Sequence, residues 1–323
     1  MRILVTGGAG YIGSVVIEEL LAGDHDVVAF DNLSTGHRDA VAAPARLVEG
    51  DLLDTAALTA AFRAHRIEAV VHMAAFALVG ESVADPAGYY RTNVSGGLAL
   101  LEAMRAADVR LIVFSSSAAV YGAAEKQPIV ETDPTLPTNP YGETKLAFER
   151  ALRWYGDAYG MRSTCLRYFN AAGATERHGE RHAHETHLIP LVLQAAAGTR
   201  SAISVLGEDY PTPDGTCIRD YVHVSDLARA HVLALQALAA GRPSAVYNLG
   251  RGGVGATVRE VIDVARRVTG REIPVRVAAR RPGDPPRLVA SADRIERELG
   301  WTPRHPRLED IVESAWRFMA RRA

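Results

Sequence analysis

Tyr141 and Lys145 stand four residues apart in "NPYGETK", which puts both on one face of a single helical turn. Pro140 suits the first turn of such a helix. The chain has 36 basic residues, yet only Lys126 and Lys145 are lysines. A tyrosine of ordinary pKa, about 10, is a poor base near neutrality, and a neighbouring ammonium favours its phenolate. An amine on a flexible stem can do this and also hydrogen-bond a second group, a double role that a guanidinium fork fills badly. The pair is therefore either a proton-transfer site or a packed aromatic beside a solvated lysine, and the Y-x-x-x-K spacing alone is a weak signal. Upstream, "FSSSAAVYG" supplies hydroxyls at Ser115, Ser116 and Ser117.

A second site is a phosphate cradle. In "VTGGAGYIG", Gly8, Gly10 and Gly13 fit G-x-G-x-x-G, and Gly7, Gly10 and Gly13 fit the related G-x-x-G-x-x-G. Glycine lets the backbone turn tightly and approach a pyrophosphate, which then rests on helix N-terminal N–H groups. Asp31 closes the next apolar run, where this pattern places an acid on the adenosine ribose. A carboxylate there favours NAD over NADP. Asp51 suits adenine contacts or, equally, an exposed helix cap.

The elements that must position these residues follow from periodicity. Apolar, β-branched runs at 2–6, 26–30, 45–50, 68–73, 110–116 and 163–169 read as strands covered on both faces. Helical patterns at 12–22, 55–65, 87–107 and 141–159 separate them. The alternation predicts an α/β fold: a doubly wound parallel sheet of the Rossmann type, with a smaller mixed α/β substrate lobe. We divide the chain at 1–170 and 171–323, with 216–240 returning to the first part. Helices are expected near 188–197, 225–240, 257–268 and 307–321.

Composition narrows the function. A formal net charge of -2 gives no basic field for nucleic acid or an anionic membrane. No apolar run is long enough to span a bilayer, and the N-terminus lacks the character of a cleavable signal. Two cysteines, Cys165 and Cys217, make no disulfide framework and point to a reducing cytoplasm. "RHGERHAHETH" invites a metal reading, but it lacks H-E-x-x-H and any cysteine. We read it as a loop without metal whose last residues line a nucleotide site.

The motifs "TGGAGYIG", "DNLSTGH", "SSSAAVYG", "NPYGETK", "LRYFNAAGA", "GTCIRDYVHVSDLA", "YNLGRG" and "RPGDPP" resemble, in order and spacing, the UDP-glucose 4-epimerase family of extended short-chain dehydrogenases/reductases. The resemblance spans about residues 1–290. It implies that Ser117, Tyr141 and Lys145 are catalytic. It implies NAD contacts from Gly7, Gly10, Tyr11, Ile12, Gly13, Asp31, Asn32, Ser34, Thr35, Gly36, Asp51, Leu52, Met73, Ala74, Ala75, Asn93, Ser115, Tyr141, Lys145 and Tyr168. For a UDP-sugar it implies Ser117, Tyr141, Asn170, His187, Leu188, Ser204, Leu206, Arg219, Arg281, Asp284 and Leu288, the last as a gate on sugar size.

By the same resemblance the reaction interconverts UDP-glucose and UDP-galactose through a transient 4-keto sugar, with NAD regenerated each turnover. The resemblance also implies a homodimer pairing the helices at 87–107 and 141–159, with Leu98, Leu101 and Phe148 among the apolar residues to be covered. Two departures stand out. Ala77 replaces a lysine common in the family, and Ala75 replaces a glycine. A 4,6-dehydratase or decarboxylase would need carboxylates where this chain has Ala118 and Ala119. A non-catalytic NAD-binding protein would tend to lose Tyr141 or Lys145. Epimerisation of an N-acetylhexosamine, pentose or glucuronate nucleotide stays open.

Overall fold

The computed structural model describes residues 1–253, 255–281 and 284–322. The first part alternates strand and helix: β1 (Arg2–Thr6), α1 (Tyr11–Ala22), β2 (Asp26–Asp31), β3 (Arg46–Glu49), α2 (Thr55–His65), β4 (Ala69–His72), α3 (Val79–Ala84), α4 (Pro86–Tyr89), α5 (Gly96–Ala106), β5 (Leu111–Ser117), α6 (Pro140–Tyr159) and β6 (Arg162–Tyr168). Short strands β7 (Asn170–Ala172), β8 (Ile203–Leu206), β9 (Ile218–Arg219) and β10 (Tyr221–His223) follow, with α7 (Leu188–Ala196) before β8. Then come α8 (Val224–Ala239), β11 (Ala245–Leu249), β12 (Ala256–Thr257), α9 (Val258–Thr269), β13 (Val275–Ala278), β14 (Arg287–Leu288), α10 (Asp293–Leu299) and α11 (Leu308–Ala320).

Seven strands form one parallel sheet in the order β11-β6-β5-β4-β1-β2-β3. Side chains alternate across it. Ile3 and Val5 pack on one face with Val16, Leu20, Leu227 and Leu235 of α1 and α8. Leu4 packs on the other with Leu58, Phe62, Leu101 and Phe148 of α2, α5 and α6. Burial on both faces explains the continuous apolar runs. Strand order reverses at β1, so the crevice beyond the carboxyl ends of β1 and β4 is the expected ligand position.

Local signals set the helix ends. Asp54 caps α2 by accepting the Ala57 N–H at 2.9 Å. Asn139 caps α6 by accepting from the Gly142 N–H at 2.9 Å, with Pro140 in the first turn, and Gly160 closes it at φ +68°. The helix expected at 87–107 is instead interrupted by a π-helical turn, Tyr90–Ser95, between α4 and α5. The extra residue in the turn sets Asn93 against the Phe76 backbone and Gly97 against the Phe148 ring, where a Cβ would approach to 2.5 Å.

Beyond β6 the chain leaves the sheet and comes back. Helix α8 lies in the core beside α1, and β11 pairs with β6 from Ala245↔Thr164 to Leu249↔Tyr168. The remaining elements build a second core from Ile189, Val192, Ile203, Val261, Ile262, Ile311 and Val312. Small sheets, β13-β8 and β12-β9-β14, lie in this lobe. Leu101 and Phe148 are already buried within one chain, whereas Leu98 and Trp154 remain exposed. Among the described residues no helix is long and apolar enough to cross a membrane.

Candidate active site

The glycines are needed where the sheet's two central loops meet. Gly7 has φ +71°, and a Cβ there would lie 2.7 Å from the Ala74 nitrogen after β4. A Cβ on Gly13 would meet the Gly7 carbonyl oxygen at 2.1 Å. Gly10 is the N-cap of α1 and offers no side-chain cap, so the N-terminal N–H groups face outward for an anion. The cradle thus fits a dinucleotide pyrophosphate.

Asp31 ends β2 with its carboxylate oriented by backbone: Oδ2 accepts from Ala9 N–H at 2.9 Å and Oδ1 from Leu33 N–H at 2.8 Å. A Cβ on Gly36 would come within 3.0 Å of Asp31 Oδ1. Asn32 Nδ2 donates to Asp51 Oδ2 at 2.7 Å, and the Ser34 N–H donates to Asn32 Oδ1 at 3.0 Å. These residues therefore share one edge of the crevice. Thr35, Gly10 and Tyr11 line a common recess. Ile12 follows on α1. Met73 N–H donates to the Thr6 carbonyl at 3.1 Å, beside Ala74 and Ala75. Leu52 is buried, and a Cβ on Gly96 would approach its Cβ to 3.0 Å. Asn93 is engaged by protein: it bonds the Phe76 N–H and carbonyl and the Thr144 hydroxyl. It positions the loop after β4. Ala77, in that loop, is exposed.

Ser117, Tyr141 and Lys145 converge at the carboxyl end of β5. The Tyr141 hydroxyl is hydrogen-bonded to the Ser117 side chain; burial raises the phenol's pKa and this bond lowers it. Lys145, 4 % exposed, donates from Nζ to the Ser115 carbonyl at 2.9 Å. Its ammonium lies 5.9 Å from the Tyr141 ring centroid and 4.9 Å from that of Phe114. Burial lowers its pKa to about 7, opposed by the negative charge of Glu149.

Beneath this set lies a polar framework that sequence inspection missed. His231 Nδ1 donates to the Leu227 carbonyl at 2.8 Å, so Nε2 is left to accept from the Ser115 hydroxyl, also at 2.8 Å. Burial first, then the nearby Tyr141, raises the pKa of Tyr168, which the Ser115 side chain hydrogen-bonds. Glu149 accepts from Ser116 Oγ at 2.5 Å and from Arg167 through two bonds, Nε–Oε1 at 2.9 Å and Nη2–Oε2 at 2.5 Å. Arg167 Nη1 also donates to the Tyr121 hydroxyl at 2.9 Å, which donates to Asn248 Oδ1 at 2.7 Å. The signal for Glu149 was present: it follows Tyr141 and Lys145 at four-residue spacing on α6.

The second lobe brings the sugar-nucleotide candidates to one side. Asn170 Nδ2 donates to the Asp220 carbonyl at 2.9 Å. Arg219 Nη2 donates to Asp284 Oδ1 at 2.5 Å, and Leu288 pairs with Arg219 across β14 and β9. Ser204 and Leu206 lie on β8; His187 stands at the N-cap position of α7, which Leu188 opens. Arg281 is exposed, and its carbonyl accepts from the Asp284 N–H at 3.2 Å. Pro282 and Gly283 of "RPGDPP" lie outside the described residues. Asp220 was also missed: fully buried, it accepts from the Arg251 and Ala290 N–H groups at 3.0 and 3.2 Å.

A parallel sheet with a glycine cradle at its switch point, and a serine–tyrosine–lysine set beside it, defines a nucleotide-dependent enzyme of the short-chain type. The chain belongs to the NAD dependent epimerase/dehydratase family, whose model matches residues 3–250. It is 52% identical to a UDP-glucose 4-epimerase of Corynebacterium glutamicum over 318 residues, covering 98% of this chain and 95% of that protein. It is also similar to the UDP-glucose 4-epimerase of Brucella ovis solved in complex with NAD: TM-score 0.95, 48% identity, 98% of each chain covered. The enzyme of the same name from Stenotrophomonas maltophila, solved with NAD and formylated UDP-arabinopyranose, superposes at TM-score 0.95 with 41% identity over 100% of both chains.

Proposed function

We propose that this chain is an NAD-dependent 4-epimerase that interconverts UDP-glucose and UDP-galactose. The observation that carries the reading is the Ser117–Tyr141–Lys145 set, with Tyr141 and Lys145 buried, at the carboxyl end of β5 beside the glycine cradle. Gly7, Gly10, Gly13 and Asp31 hold NAD, which when bound supplies the acceptor and donor of the C4 hydrogen. Tyr141, as phenolate, takes the proton from the sugar O4, and the Lys145 ammonium stabilises that phenolate. Ser117 hydrogen-bonds the same oxygen and orients it. Arg219, Arg281 and Asp284 hold the uridine diphosphate as a pivot about which the 4-keto sugar turns. After the turn the opposite face of C4 would take back its hydrogen as hydride, and Tyr141 returns the proton to O4.

Ala118 and Ala119, directly after Ser117, bring no carboxylate for elimination or decarboxylation. We assign the seven-stranded sheet and its helices, with α8 and β11, to NAD, and the remaining lobe to the UDP-sugar. We further propose a homodimer closed over α5 and α6, where Leu98 and Trp154 stay exposed, and a cytoplasmic location consistent with two buried free thiols.

Pure protein mixed with UDP-galactose and no added NAD, followed by anomeric-proton NMR, should yield UDP-glucose. Tyr141→Phe should retain NAD and lose about 10²–10⁴-fold in turnover. No interconversion, with or without added NAD, would sink the proposal.

A further inference from the structure

The histidine-rich segment between β7 and α7 does more than its spacing shows. The structure folds it so that ligand atoms of Glu180, His182, Glu185 and His187 all lie within 4.8 Å of one another. His182 Nδ1 is 2.7 Å from Glu180 Oε1, and His187 Nδ1 is 2.7 Å from Glu185 Oε1. The two imidazoles stack at 6.0 Å with an interplanar angle of 28°. His182 Nδ1 is buried and in no hydrogen bond, despite its closeness to Glu180.

Both carboxylates are held from behind. Glu180 Oε1 accepts the N–H groups of Arg181 and His182 at 2.9 and 3.2 Å; Glu185 Oε1 accepts those of Thr186 and His187 at 2.7 and 2.6 Å. Among the described residues every hydrogen bond to these carboxylates falls on Oε1, so Oε2 of each is left for a cation. Backbone support of this kind orients metal ligands.

We propose that Glu180, His182, Glu185 and His187 form a structural zinc site that fastens residues 177–187 over the cofactor cradle. Two imidazoles and two carboxylates suit zinc better than magnesium or calcium, which favour oxygen alone. Four protein ligands make a closed, structural centre rather than one with an open catalytic position. Tetrahedral zinc places its ligands about 3.4 Å apart, so small side-chain rotations contract the cluster around the ion. The segment is already docked on the cradle. Residues 177–182 line one recess with Ala9, Gly10 and Tyr11, Arg181 bonds Asp39 at 3.0 Å, and Thr175 bonds Glu18 at 3.2 Å.

The test uses untagged full-length protein, stripped with dipicolinate, equilibrated with zinc chloride and exchanged into metal-free buffer. Elemental analysis should give one zinc per chain, and cobalt(II) titration should give the visible absorption of a tetrahedral site that saturates at one equivalent. His182→Ala and Glu185→Gln should each weaken zinc binding by at least about tenfold, with far-ultraviolet circular dichroism unchanged. Stripped wild type should release NAD faster on gel filtration than zinc-loaded protein. Substoichiometric zinc in wild type, or undiminished binding in both variants, overturns the site and would leave two histidine–glutamate ion pairs. If the variants fail to fold, the cobalt titration of wild type decides alone: no saturable tetrahedral spectrum refutes the proposal.

Discussion

Lys145 Nζ donates to the carbonyl oxygen of Ser115 at 2.9 Å, so the amine that faces Tyr141 is fixed to the strand that ends in Ser117. Lys145 is buried there. Lys145→Arg keeps the charge but replaces a point-charge amine with a bulkier planar fork in a buried site. Turnover should fall at least about 10²-fold, read from initial rates on UDP-galactose. Lys145→Met should be equally inactive and yet more thermally stable at pH 6. The folded pKa, about 7, lies below the unfolded value. The cost of burying the charge therefore grows as pH falls from 10.5 towards 7 and is complete below 7. A lower melting temperature than the parent at pH 6 would contradict this.

Asp31 is aimed by the Ala9 and Leu33 N–H groups. Asp31→Ala should weaken NAD and narrow the gap between NAD and NADP. Titrating stripped protein with each cofactor measures both. An unchanged ratio would remove Asp31 from the ribose site.

Acid stability should depend on three histidines buried as neutral rings. Burial lowers His72 to about 3, helped by the Lys145 charge, and lowers His223 and His231 to about 4. Each folded pKa lies below the unfolded 6.5, so the unfolded chain binds more protons between about 4 and 6.5. Their contribution is whole above pH 6.5 and is lost as pH falls. Stability should decline by about 1.4 kcal/mol per pH unit for each proton taken up on unfolding. Urea melts of wild type and His231→Gln from pH 7 to 4.5 test this; equal slopes for both would refute the role of His231.

Leu288 pairs with Arg219, which bonds Asp284, so a gate at this position would sit beside the diphosphate. Leucine leaves some room but gives an acetamido group no polar partner. UDP-glucose and UDP-galactose should be preferred, with weak turnover of UDP-N-acetylglucosamine. Leu288→Tyr should abolish the N-acetyl activity and Leu288→Ser should raise it. Unaltered ratios of kcat/KM would show that the gate lies elsewhere.

The parts of this protein governed by local chemistry could be read from its sequence. Helix α2 lies at 55–65 because Asp54 caps it and the apolar positions repeat. The cradle was legible because glycine has no substitute where Cβ atoms would collide with backbone. What depended on distant chain was hidden. The π-helical turn at Tyr90–Ser95 answers to Phe76 and Phe148, which no periodicity reveals. The Glu149–Arg167 pair joins α6 to β6. The approach of Glu180, His182, Glu185 and His187 to one another was hidden too, because a loop brings side chains together at intervals that no helical spacing rule describes.

Strand β11 lies at one edge of the sheet, yet residues 169–244 separate it from its partner β6. During synthesis, which runs from the N-terminus, β6 must wait with one edge open until Leu249 has left the ribosome. An open, largely apolar strand is a template for pairing with the wrong chain. Chains arrested before Ala245 should therefore need chaperone protection and aggregate without it, while chains arrested after Leu249 should not. A slow-folding substitution in α7 or β8, both within that interval, therefore lengthens the exposure of an edge that neither element pairs with.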